Sequence, residues 1–176
     1  MKGTLKLEDG KELTIEIGEE LIVDINGNAF KLIKEPKKTG YERVEINKYY
    51  FSVSTDNEAI KIHNDGLPYD EEQYINANYY SDKTVAENNA RADALMRKLR
   101  RFTVEHRKKD INWDDCNQSK YEIYYYHPSQ SIKTSPYQNC QVFGTIYFDT
   151  AETAKLAIEE FKDELIWYFT KYKDSL

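Results

Sequence analysis

The chain has 176 residues, 40% of them hydrophobic and 32% charged, with 15 Tyr and 7 Phe against only 7 Gly and 4 Pro, which excludes low-complexity and disordered classes. No window is apolar over the length of a membrane span, and Met1-Lys2-Gly3-Thr4-Leu5 lacks the apolar run of a secretion signal, so a cytoplasmic protein with no membrane partner is expected. The net charge of −6 argues against general affinity for nucleic acid, yet positions 91–109 hold eight basic residues against two acids, leaving −12 on the remainder.

Residues 4–8 and 12–17 alternate around Asp9-Gly10, a hairpin signal, and 21–25 and 29–33 alternate around Asn26-Gly27-Asn28. Together they predict a four-stranded meander module over 1–35, followed by a polar linker with Pro36 and Gly40 over 36–46. The main domain, 47–176, opens with strands at 49–53 and 59–63 turned by Thr55-Asp56-Asn57. Gly66 and Pro68 among acids predict a loop over 64–70, and 74–80 reads as a short strand. Ser81 or Asp82 then caps a long amphipathic helix over 83–107, with Val85, Ala92, Leu95, Met96, Leu99, Phe102 and His106 near one face.

Aromatic and β-branched runs at 120–126 and 141–148 predict two further strands, with the Pro- and Ser-bearing stretch 127–139 as connection. An Ala-rich helical pattern starts at Ala151, and 165–169 is an apolar run expected to dock on the rest of the chain. A shift of 68 residues lays Tyr79-Tyr80-Ser81-Asp82 over Tyr147-Phe148-Asp149-Thr150 and Ala86 over Ala154. The expected fold class is therefore α+β: two ββα-like units sharing one antiparallel sheet packed by helices, preceded by the small β module.

Several stretches carry a resemblance: 6–12, Tyr49-Tyr50-Phe51, 78–80 before the long helix, Asp110-Ile111-Asn112-Trp113-Asp114-Asp115, 120–125, and 143–158. In their order, the chain resembles a family of small uncharacterised accessory proteins of phages and prophages of Gram-positive bacteria. The resemblance implies a mobile-element accessory gene and transfers no catalytic residue. By analogy with small phage proteins it implies binding to a host or defence protein, an anti-CRISPR-like counter-defence role.

His63, His106 and His127 fall in three different elements with no ligand-spaced partner, and Cys116 and Cys140 stand as two isolated thiols, so no metal, no cofactor and no catalytic set is expected. Two candidate surfaces remain. Arg97, Arg101 and Lys108 make an outward basic stripe on the long helix, and Tyr124, Tyr125 and Tyr126 place aromatic rings on both faces of one strand. Tyrosine offers large contact area at low entropy cost, which suits a protein interface, and it also suits base stacking. The expectation is a non-catalytic protein-binding protein, with nucleic-acid binding through the basic helix second and homo-oligomerisation open.

Overall fold

A computed structural model of the chain describes residues 2–6, 12–16, 20–25, 28–33, 38–137 and 139–172, with side chains from Lys38 onward. The chain divides into two compact units, Met1–Thr39 and Gly40–Leu176. In the first, β1 (Lys2–Lys6) pairs antiparallel with β2 (Glu12–Glu16), and β3 (Glu20–Ile25) with β4 (Asn28–Ile33). Among the described residues these are two two-stranded sheets, with no pairing between β2 and β3 to join them into the expected meander. The expected turns at Asp9-Gly10 and Asn26-Gly27 lie outside the described residues.

The second unit is α+β and repeats one plan twice. In its first half, β5 (Tyr49–Val53) pairs antiparallel with β6 (Ala59–His63), α1 (Pro68–Ile75) follows, and α2 (Lys83–His106) runs back over the hairpin. In its second half, β7 (Lys120–Tyr126) pairs with β8 (Ser131–Tyr137), and α3 (Ala151–Glu160) packs on both strands. A single residue before each helix adds to the outer side of the first strand. Phe51 and Tyr80 exchange both backbone hydrogen bonds at 2.8 and 2.9 Å, and Tyr121 and Phe148 do the same at 2.9 and 2.8 Å. Asp82 caps α2 by accepting from Thr84 and Val85 N–H, and Thr150 caps α3 by accepting from Thr153 N–H. Ala86 and Ala154, one turn into each helix, are both fully buried, because only a methyl fits where helix and hairpin approach.

The expectation of one shared sheet is corrected: the two hairpins form separate two-stranded sheets. Three local expectations also fail, each for a visible reason. The loop expected over 64–70 gives way at Pro68, and the strand expected over 74–80 does not form, since Pro68 sits in the first turn of a helix and the Asp70 carboxylate accepts from the Leu67 N–H at 2.9 Å. That helix ends at Asn76, and Ala77 turns left-handed at φ 54°, leaving only Tyr80 to pair as a strand. Residues 131–137 are a strand despite Pro136. Tyr121, opposite Pro136, spends its backbone groups on Phe148, so that pair needs no N–H from the proline. Residues 141–147 do not extend as a strand, because Gly144 at φ 77° and a Thr145 N–H to Val142 C=O bond of 3.1 Å fold them into a turn.

The segment from Gly40 to Ile46 packs into the second unit. The Gly40 carbonyl accepts from Ser81 N–H, and a Cβ at Gly40 would lie 2.6 Å from Val85 Cγ2. The main core gathers Leu95, Leu99, Phe102, Phe148, Ala154, Ala157 and Leu165. Helix α3 breaks at Phe161 into α4 (Lys162–Trp167) and a π-helical turn, Tyr168–Tyr172. This end docks on α2: Arg91 lies 3.9 Å from the Trp167 ring centre, and the Tyr172 hydroxyl donates to Asn89 Oδ1 at 2.8 Å.

Candidate functional site

The two halves fill the same places with different chemistry. Behind β5, Tyr50 is fully buried, stacks on Tyr79 at 3.9 Å between ring centres, and donates its hydroxyl to Asp70 Oδ1 at 3.0 Å. Burial, with Asp70 beside it, pushes the Tyr50 phenol well above its usual range. Asp70 Oδ2 accepts from the Asp65 and Leu67 N–H groups, so this buried carboxylate is held on both oxygens. Arg43 covers the Tyr74 ring and bonds Glu71 at 2.6 Å over a cavity of about 240 Å³. These contacts satisfy one another, and the cavity is an exposed rim of a structural network.

The second half puts Lys120 where the first has Tyr50. Its stem is fully buried, its Nζ donates to the Asp115 carbonyl at 2.8 Å, and it faces Trp113 at 5.1 Å. Asp149, 2% exposed, accepts from the Lys108 and Lys109 N–H groups through Oδ2. Burial raises its pKa, but these N–H donors and the Thr153 hydroxyl outweigh it and hold the carboxyl below its usual range. Lys108 therefore contributes through its backbone to fixing α2 against the α3 cap.

The basic stripe is substantially spoken for. Arg97 donates to Asn57 Oδ1 at 2.5 Å, Lys98 pairs with Glu164 at 2.7 Å, Arg101 lies 3.7 Å from Glu105, and Arg107 lies 3.2 Å from Asp110. Arg91 is occupied by Trp167. Arg97, Arg101 and Lys108 are all exposed, as the helical spacing predicts, with Glu105 beside Arg101 and a neutral amide against Arg97.

The tyrosines of β7 divide by face. Tyr125 stacks against Phe169 at 5.9 Å and meets the His127 ring edge-on at 5.0 Å. Tyr126 is exposed and carries Lys133 Nζ 4.1 Å from its ring centre, while Tyr124 is half-buried opposite Lys133. Next to this strand lies a feature the sequence does not signal directly: a cavity of about 210 Å³ bounded by the apolar side chains of Leu95, Leu99, Ile123, Ile146 and Leu165 together with Thr145 and Tyr168, with Phe143 at its rim fully exposed. Its signal in the sequence is Phe143-Gly144, which aromatic and β-branched density assigns to a strand over 141–148 and which the fold makes the projecting tip of a turn.

Among the described residues no helix is long and apolar enough to cross a membrane, and no group of three metal-ligating side chains assembles. Cys116 and Cys140 are free and exposed. Comparison with family models, with curated proteins and with solved structures returned no match.

Proposed function

We propose that this chain is a non-catalytic binding protein that acts on another protein through the second half of its larger unit. The observation that carries the reading is Phe143, a large apolar side chain fully exposed at the rim of a cavity that Ile123 of β7 and Phe169 also line. Contiguous uncovered apolar and aromatic surface of this kind marks recognition sites, with exposed aromatics as anchors. In keeping with the resemblance of its sequence, the protein is proposed as a cytoplasmic phage or prophage accessory factor that inhibits or sequesters a host defence or nucleic-acid-processing protein.

The test is capture of a stoichiometric partner from host lysate, followed by titration of that partner against Phe143→Ala and against Arg97→Glu with Arg101→Glu. Phe143→Ala is expected to weaken binding about tenfold, about 1.4 kcal/mol. The double charge reversal is expected to leave folding within about 0.5 kcal/mol, since both side chains are exposed, and to weaken binding at least about tenfold; unchanged affinity would show the stripe to be a solvated face. Recovery of no partner, together with turnover of a nucleotide or nucleic acid by the purified chain, overturns the proposal. Direct nucleic-acid binding stands second. The ion pairing of Lys98, Arg101 and Arg107 within the protein weighs against it, and a flat dependence of affinity on salt would dispose of it.

A further inference from the structure

The second hairpin leaves part of one strand edge open. Because the N–H and C=O of Tyr121 both go to Phe148, the alternation of a strand turns the backbone groups of Ile123 and Tyr125 to that same side, away from β8. In the first half the equivalent edge is closed. One step beyond the Phe51–Tyr80 pair, the Asn78 carboxamide accepts from the Val53 N–H at 2.8 Å and donates to the Val53 C=O at 3.0 Å. The residues in the corresponding places are Ile123 and Ile146, and an isoleucine side chain can neither donate nor accept. Among the described residues no hydrogen bond reaches the outward N–H and C=O groups of Ile123 and Tyr125.

The chain does not close this edge with its own next segment. That segment is folded by the Val142–Thr145 turn and tied further by the Val142 N–H donating to the Tyr147 hydroxyl at 2.7 Å, with Tyr147 set edge-on against Trp113. The cavity lies where Ile123 of the edge and Ile146 of the folded segment both border it. What closes the edge in the first half is an amide, chemically a peptide group, and an open strand edge is itself a template for an extended chain.

We infer that the open edge of β7 receives an extended peptide segment of a partner protein as an added strand. Its main chain bonds the outward groups of Ile123 and Tyr125, and one uncharged apolar side chain enters the cavity between Leu95, Leu99 and Leu165. No ionised side chain lines the cavity, so a charged group there would find no counter-charge. The inference rests on the protein-binding reading and narrows it to main-chain recognition.

The experiment uses the full chain and a display library of short peptides with Val, Ile, Leu or Phe at alternate positions and Thr, Ser or Lys between them. Enriched peptides are expected, and on binding they should slow hydrogen exchange at the Ile123 and Tyr125 amides. Tyr125→Pro removes an outward N–H without touching the bonds to β8, whereas Tyr125→Ala removes only the ring; the proline variant should bind about tenfold more weakly than the alanine variant. If the proline variant fails to fold, the wild-type chain is titrated with peptides N-methylated at alternate residues, and only one of the two alternations should abolish binding. Absence of enrichment over a library of charged peptides overturns the inference. So do equal binding by both methylation patterns, protection of both amides in the free monomer, and protection that instead follows protein concentration, which would mean a second copy on the edge. If a cellular partner binds both Tyr125 variants equally, the edge inference fails while the protein-binding reading stands. Peptide binding without any cellular partner has the reverse meaning.

Discussion

The two halves of the larger unit share a backbone plan and differ in what fills it. In the first, the buried strand residue is Tyr50 on Asp70, and the strand edge beyond the single-residue pair is closed by Asn78, which Gln73 and Ser52 brace in turn. In the second, the buried strand residue is Lys120, the core is built from Leu, Ile and Phe, and the edge beyond Phe148 is left to the Ile123–Ile146 cleft. The first half is finished with hydrogen bonds that close on themselves. The second keeps a cavity lined by Ile123 and Ile146 at the corresponding place. The lesson is that backbone similarity fixes where such an opening can exist, and the side chain at one position, Asn78 or Ile146, decides whether it does.

The comparison can be broken or sharpened by mutation. Phe148 is 1% exposed at the junction of β7, α2 and α3, so Phe148→Ala should destabilise the unit by about 4 kcal/mol in urea unfolding. A loss below about 1 kcal/mol would mean that the second half has no fixed apolar core. In the first half, Asp70→Ala strands the buried Tyr50 hydroxyl and two backbone N–H groups and should cost about 3 kcal/mol. A near-neutral result would show that the polar network is not what closes that half.

Exchanging the residues that distinguish the edges is a smaller perturbation. Asn78→Ile should cost about 1.5 kcal/mol and speed hydrogen exchange at Val53. The reciprocal Ile146→Asn should slow exchange at Ile123, and if neither amide responds, the two edges are not equivalent places. The smallest effect concerns Asp149, whose folded pKa lies below its unfolded one. Its contribution is present above the unfolded carboxylate value, about 3.9, and fades as pH falls through the lower folded value. Thermal melting of Asp149→Asn should therefore show a shallower decline over that acid window than the parent protein, and parallel declines would remove Asp149 from the account.

Some of this was legible in the chain itself. The long helix from Lys83 and its buried face at Leu95, Leu99 and Phe102 follow from helical spacing, its cap from the Ser81-Asp82 pair of which the structure uses Asp82, and the strand at 120–126 from its aromatic and β-branched density. The 68-residue echo pointed to a repeated unit because cap, small residue and preceding aromatics recur at fixed offsets. The cavity was not legible. It depends on 141–147 turning away from β7, and a run of aromatic and β-branched residues favours a strand whether or not a partner strand is in reach.

What the sequence by itself determined is therefore the α+β class, the two long helical segments and the outward position of Arg97 and Arg101, all of which depend on local periodicity. The tertiary structure decided that Pro136 sits in a strand and that 141–147 does not. It also decided that Arg97 and Lys98 meet Asn57 and Glu164 from distant parts of the chain, and that one of two similar strand edges stays open. Each of these is settled by which groups compete for the same hydrogen bonds across the fold, and that competition has no signature in the order of residues along a single segment.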